Sequence, residues 1–162
     1  MTGTTGQPDE IVAAVAEAAA LGHGGDRPAA RRALEALWER VGPDGDALHR
    51  CAVAHALADV CDDPADEVAW DERALAAADA ITDERAQAAG ATGPVAAFYP
   101  SLHLNLGEGY RRLGDGDRAR EHLERGLAAV DALPDDGYGR MIRDGLDRLA
   151  SRIDSAESSA GR

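Results

Sequence analysis

Apolar residues recur along this chain at helical spacing. Ala30, Leu34, Leu37, Trp38 and Val41 fall at i, i+4, i+7, i+8 and i+11. Ile142, Leu146, Leu149 and Ile153 repeat at i, i+4, i+7 and i+11. Ala119, Leu123, Leu127 and Val130 mark another stripe, and Ile11, Val12, Val15 and Ala19 a fourth. The pattern predicts seven helices. They run from about 9–21, 26–41 and 47–61, then from 64 through Ala78, then 100–113, 117–133 and 136–154. The breaks carry helix-ending residues. Gly22, Gly24 and Gly25 close the first helix, and Gly42-Pro43-Asp44-Gly45 the second. Asp46 is placed to cap the third, and Asp63-Pro64 gives the fourth an N-cap and a proline at its first position. Residues 82–89 predict a separate helical turn, and 90–97, with Gly90, Gly93 and Pro94, the longest loop. The polar segments 1–8 and 155–162 read as disordered tails around one domain, 9–154.

Small and large positions sharpen the picture between 101 and 134. Leu106-Gly107-x-x-Tyr110 is followed by Gly114-Asp115 and then Ala119-x-x-x-Leu123. Small side chains stand where two antiparallel helices must touch, and large ones where the pair fills a core. This segment resembles a tetratricopeptide repeat, a helix-turn-helix unit of about 34 residues. Weaker echoes exist upstream. Arg73-Ala-Leu-Ala-Ala-Ala-Asp79-Ala80 parallels Arg125-Gly-Leu-Ala-Ala-Val-Asp131-Ala132, and Leu57-Ala58 parallels Leu106-Gly107. The chain also looks like a group of small bacterial tetratricopeptide proteins with segments such as Phe98-Tyr-Pro-Ser-Leu-His-Leu-Asn-Leu106. The resemblance implies an all-α fold, an antiparallel helix-hairpin solenoid of about three tetratricopeptide-like repeats plus a C-terminal capping helix. His103 stands where the clear repeat usually has Trp, Gly126 replaces a helix-favouring small residue, and the closing Pro134 comes late.

Composition supports the helical reading and narrows the partners. Hydrophobic residues are 44% of the 162, but aromatics are only 4%. A core so poor in large side chains must be built by close approach of alanine-rich helices. A formal net charge of -13 repels phosphate backbones and anionic lipid heads, so neither a nucleic acid nor a membrane surface is the expected partner. There is no basic, apolar leader, and Ile11 to Leu21 is too short to span a bilayer. The two cysteines lie ten apart on one predicted helix, too far to bridge. A cytoplasmic protein is expected.

The first helix of each hairpin lines a concave face in the tetratricopeptide architecture, and that face usually binds. The resemblance therefore points to Leu104, Asn105, Glu108 and Arg112 as groove residues, with Asn105 matching an amide that holds a peptide backbone. An amide both donates and accepts, which suits a peptide unit. Cys51, His55 and Asp59 fall at i, i+4 and i+8 on the third helix. A metal or acid-base site is one reading, but the ligand set is incomplete, and His55 and Asp59 read better as a polar pair lining the groove. Tyr99 and Tyr138 are candidate rim contacts. Arg111, Arg112, Arg140 and Arg143 offer the one basic spot, open to an acidic ligand or to neutralisation by Glu108, Asp144 and Asp147. His23, His49 and His122 read as solvated, and His103 as half-buried.

No nucleophile elbow or phosphate-binding glycine loop is present. The expected function is therefore a protein-interaction scaffold without catalysis, cofactor or metal. Its concave groove would hold a peptide segment or partner protein, neutral or basic overall. A small-molecule or metabolite-binding protein using the same groove is the alternative, favoured if polar groups such as His55, Asp59, His103 and Asn105 converge in a deep cavity. Exposed Trp38 or Trp70 would favour a homo-oligomer.

Overall fold

The computed structural model describes residues 9–162. Among the described residues there are eight α-helices: α1 (Glu10–His23), α2 (Arg27–Val41), α3 (Ala47–Asp59), α4 (Pro64–Ala78), α5 (Asp83–Ala88), α6 (Tyr99–Arg112), α7 (Gly116–Ala128) and α8 (Gly137–Ala160). No strand occurs among the described residues. None of these helices is long and apolar enough to cross a membrane.

Short polar side chains start most of the helices. Asp9, Asp26, Asp46, Asp63, Asp115 and Asp136 each accept a backbone N–H from the first turn of the helix that follows. Thr82 does the same for α5. Part of the acidity of the chain is thus spent at helix N-termini, where negative charge is favourable. Helix α6 has no such cap. It continues directly from a 3₁₀ turn, Val95–Phe98.

The helices pack as neighbouring pairs, α1 with α2, α3 with α4, and α6 with α7. Each pair joins the next through α2 against α3 and α4 against α6, and α8 covers the last pair by packing on α6 and α7. Buried alanines such as Ala30, Ala54, Ala74 and Ala119 let backbones approach closely. Leu34, Val53 and Leu57 fill the first interface, while Leu106, Leu123, Leu146, Leu149 and Ile153 fill the last. Trp38 and Trp70 meet edge to face with centroids 5.1 Å apart. Both are half-buried between neighbouring clusters, so they act as packing residues.

The structure departs from the sequence expectation at the C-terminus. Helix α8 runs to Ala160, through the stretch expected to be a tail after Asp154. Ser151, Ser155 and Ser159 donate their hydroxyls to the carbonyls four residues earlier, and Arg120 of α7 pairs with Asp154 and Glu157. The Arg120 pairs tie this serine-rich segment to α7. Helix α7 stops early, at Ala128, and a 3₁₀ turn follows over Val130–Ala132. Arg143 of α8 donates to the carbonyls of Val130, Leu133 and Pro134, which satisfies that turn. The tail expected over 1–8 lies outside the described residues.

Candidate functional site

An apolar cavity of about 400 Å³ opens where the first helices of successive pairs face one another. Val12 of α1, Ala52 and His55 of α3, Leu102 of α6 and Tyr138 of α8 reach it. Ala86 and Ala89, with Phe98 from the connection into α6, complete its wall. A second opening of about 560 Å³ adjoins it, sharing Gly90, Ala91, Phe98 and Tyr138. No arginine lines either space.

The short helix α5 is held there by an ion cluster. Arg85 donates to Asp46 Oδ2 at 2.8 Å and to Asp9 Oδ2 at 2.8 Å, the caps of α3 and α1. His49 Nε2 lies 2.9 Å from the same Asp9 carboxylate. Burial works to raise Asp9, but the bonds from Arg85 and His49 outweigh it and hold the carboxyl well below its usual range. Asp83 then accepts the Val95 N–H at 2.8 Å, folding the loop back over α5.

The polar end of the cavity is His55. Its Nδ1 lies 3.4 Å from Oδ1 of Asp71 on α4. Asp71 is fully buried, and its Oδ2 has no hydrogen-bond partner. A buried carboxylate with one long bond is costly, and burial accordingly pushes Asp71 up while the His55 bond pulls it back. The Asn105 amide is close enough to favour the carboxylate, without the geometry to bond Oδ2. Burial tends to lower His55, but the Asp71 bond and the charges of Asp59 and Asp71 hold it above its ordinary value. With Nδ1 turned to Asp71, the ring presents Nε2 away from it.

His55 and Asn105 lie about Asp71, a residue the sequence did not single out, whereas Asp59 lines a separate small opening with Arg27. Asp59 itself is exposed, and Asp71 rather than Asp59 orients the imidazole. Asp71 was legible in one respect: it falls on the stripe Val68, Asp71, Leu75, Ala78 that α4 buries. Cys51 lies beside the cavity, but burial and the Asp71 charge push its thiol up to about 12. It is no nucleophile at neutral pH. Among the described residues, no group of three His, Cys, Asp or Glu side chains is placed to hold a metal ion.

Several expected groove residues prove to be packing or pairing groups. Leu104 presses its Cδ2 on Gly145 at the α6–α8 contact. Tyr99 donates its hydroxyl to Asp79 at 2.6 Å, which ties α6 to the end of α4. Glu108 accepts from Arg111 at 2.7 Å and pairs with Arg152 of α8. Arg112 binds Glu67 of α4 at 2.6 Å. Arg140 is exposed and lines neither cavity, whereas Tyr138 lines both. The expected basic spot is thus dispersed, because Arg111 and Arg112 are neutralised locally and Arg143 is engaged by carbonyls.

The histidines also depart from expectation. His103 and His122 are both buried, with their Nδ1 atoms 3.0 Å apart between α6 and α7. His122 stacks on Tyr110, whose hydroxyl donates to Glu72. Burial, then the neighbouring His122 and Arg125, push His103 down to about 4. His103 does not line the cavity. His122 was readable as buried because Ala119, His122, Leu123 and Gly126 share one face of α7. His49 is not solvated either, since it belongs to the Asp9 cluster. No protein family, curated protein or solved structure matches this chain.

Proposed function

We propose that this chain is a non-catalytic binding protein and that its ligand is a small apolar molecule held in the cavity beside His55. In this reading the three helix pairs form a tetratricopeptide-like solenoid, and the cavity is the deep part of its concave face. The observation that supports it best is the wall supplied by α5 and Phe98, which deepens the groove into a half-open pocket of about 400 Å³. Its surface is mostly aliphatic or aromatic, with His55 as the polar point. The serine and the cysteine there are poorly suited to attack. The Ser101 hydroxyl donates to the Phe98 carbonyl at 3.0 Å, and the Cys51 thiol stays protonated.

A peptide or partner protein, neutral or basic overall, is the second reading. Tyr138 at 45% and Met141 at 55% exposure lie one turn apart on α8, with Tyr138 at the cavity mouth, and support it. Ala52→Trp separates the two. Ala52 is half-buried and lines the cavity, so an indole there fills it. Under the small-molecule reading, amide shifts of α3 and α6 on titrating hexan-1-ol disappear in this variant. Under the peptide reading, partners captured by the wild type are lost in Tyr138→Ser and Met141→Ser but kept in Ala52→Trp. No amide shift in the wild-type titration counts against the first reading.

A further inference from the structure

Three features of the cavity bear on the chemistry of its ligand. First, Asp71 is a fully buried carboxylate whose Oδ2 has no partner, directly behind the residue that forms the polar end of the cavity. Such a group attracts a donor or a cation. Secondly, the charges that act on His55 are the Asp59 and Asp71 carboxylates, while Arg50 of α3 and Arg73 of α4 lie over the Trp38 and Trp70 rings. Asp59 acts on His55 from its own helix, Glu67 and Asp71 lie on α4, and Arg112 of α6 is committed to Glu67. The other ionisable residues at the cavity are Cys51 and Tyr138, neither of them cationic. Thirdly, Phe98 and Tyr138 supply aromatic rings in the wall. Aromatic faces and aliphatic surface together suit a cation carried on an apolar body.

We propose that the cavity binds an alkylammonium, a small apolar amine whose alkyl body lies among Val12, Leu48, Leu102 and Phe98 and whose ammonium donates to His55 Nε2, with Asp71 behind the ring supplying the compensating charge. This rests on the cavity reading above. Asp71 acts here as a positioning and electrostatic residue, since His55 stands between it and the cavity. The bound imidazole is neutral, with Nδ1–H donating to Asp71 and Nε2 accepting. An incoming ammonium therefore competes with a proton for the same nitrogen. Binding strengthens as pH rises through the His55 titration, by up to about tenfold per pH unit below it. An anion has no arginine to meet in the cavity and faces the field of a chain with net charge -13.

The test compares three probes with the same six-carbon body, hexylamine, hexan-1-ol and hexanoate, by calorimetry or amide shifts on the full chain between pH 6 and 8.5. The expected order is hexylamine at least about tenfold tighter than hexan-1-ol, with hexanoate weakest. Hexylamine affinity alone should rise with pH. Asp71→Asn should weaken hexylamine at least about tenfold more than it weakens hexan-1-ol, and His55→Gln should flatten the pH profile. If Asp71→Asn fails to fold, the wild-type pH profile and His55→Gln decide. Equal binding of hexylamine and hexan-1-ol keeps the cavity reading and overturns the ammonium. Tightest binding of hexanoate makes His55 an anion anchor and also overturns it. Binding of none of the three removes the cavity reading itself.

Discussion

A Cβ placed on Gly107 would stand 2.6 Å from Cδ2 of Leu149, so the α6 backbone and the α8 side chain already share that space. The Ala119 carbonyl and the His122 Cβ close the other sides at 3.4 and 3.7 Å. Leu149 is 1% exposed and cannot swing outward. Three helices therefore meet at a position that only glycine fits. Gly107→Leu is expected to lower stability by ~1–3 kcal/mol through overpacking. A melting curve that coincides with that of the wild type would show that the contact is looser than its geometry implies.

The buried histidine pair is expected to make stability fall in mild acid. His103 titrates at about 4 in the folded chain against 6.5 when free. Between those values the unfolded chain binds more protons. Stability is therefore complete above 6.5 and is lost as pH drops toward 4, by about 3 kcal/mol for this group. His122 is shifted in the same direction, first by burial. Urea midpoints measured from pH 7.5 to 4 should show this slope. His103→Leu should reduce it, while costing ~1–3 kcal/mol at neutral pH because His122 Nδ1 loses its partner. An unchanged slope in that variant would assign the acid sensitivity to other groups.

Element positions were legible because helices announce themselves twice, by apolar spacing and by caps. The stripe Ile142, Leu146, Leu149, Ile153 is buried as expected, and the caps Asp46 and Asp63 are present. The end of α8 was not legible, since serine hydroxyls that bond backward along a helix look in sequence like a polar tail. The site was read only in part. His55 was chosen as a groove-lining residue of a first helix and Tyr138 as a rim aromatic at the start of the last helix, and both reach the cavity. Asn105 lies near its polar end, facing Asp71. Leu104, Glu108 and Arg112 were chosen by the same rule but are consumed by contacts with Gly145, Arg111 and Glu67. Those contacts depend on where α4 and α8 sit, which periodicity along α6 does not encode. Asp71 was passed over because a charged run, Asp66 to Arg73, disguises one acid that faces inward.

Arg85 holds the cavity wall. Its guanidinium bridges Asp9 and Asp46, so it joins α5 to the starts of α1 and α3. Arg85→Ala leaves two partly buried carboxylates and His49 without their shared cation. It should destabilise by ~1–3 kcal/mol and speed amide exchange over residues 83–98 more than elsewhere. Protection in that segment equal to the wild type would mean that Ala86 packing and the Asp83–Val95 bond suffice to hold α5.

The last helix carries both a core face and a wall of the cavity. Ile142, Leu146, Leu149 and Ile153 are each at most 5% exposed against α6 and α7. Burial of each such side chain contributes ~1.5–3 kcal/mol. Gly145 lets Leu104 approach, and Gly126 lets Leu146 approach, so α8 locks onto both helices of the preceding pair. Truncation after Pro134 uncovers that face and also removes Arg143, which satisfies the carbonyls of the turn at 130–134. The shortened chain should melt lower and aggregate, and α6 and α7 should lose amide protection before α1 and α2 do. It should also lose the cavity ligand, because Tyr138 is gone from the wall. Size-exclusion chromatography with hydrogen exchange reads both effects. A truncated chain that remains monomeric, melts like the parent and still binds hexan-1-ol would place the ligand away from Tyr138 and make α8 dispensable to the fold.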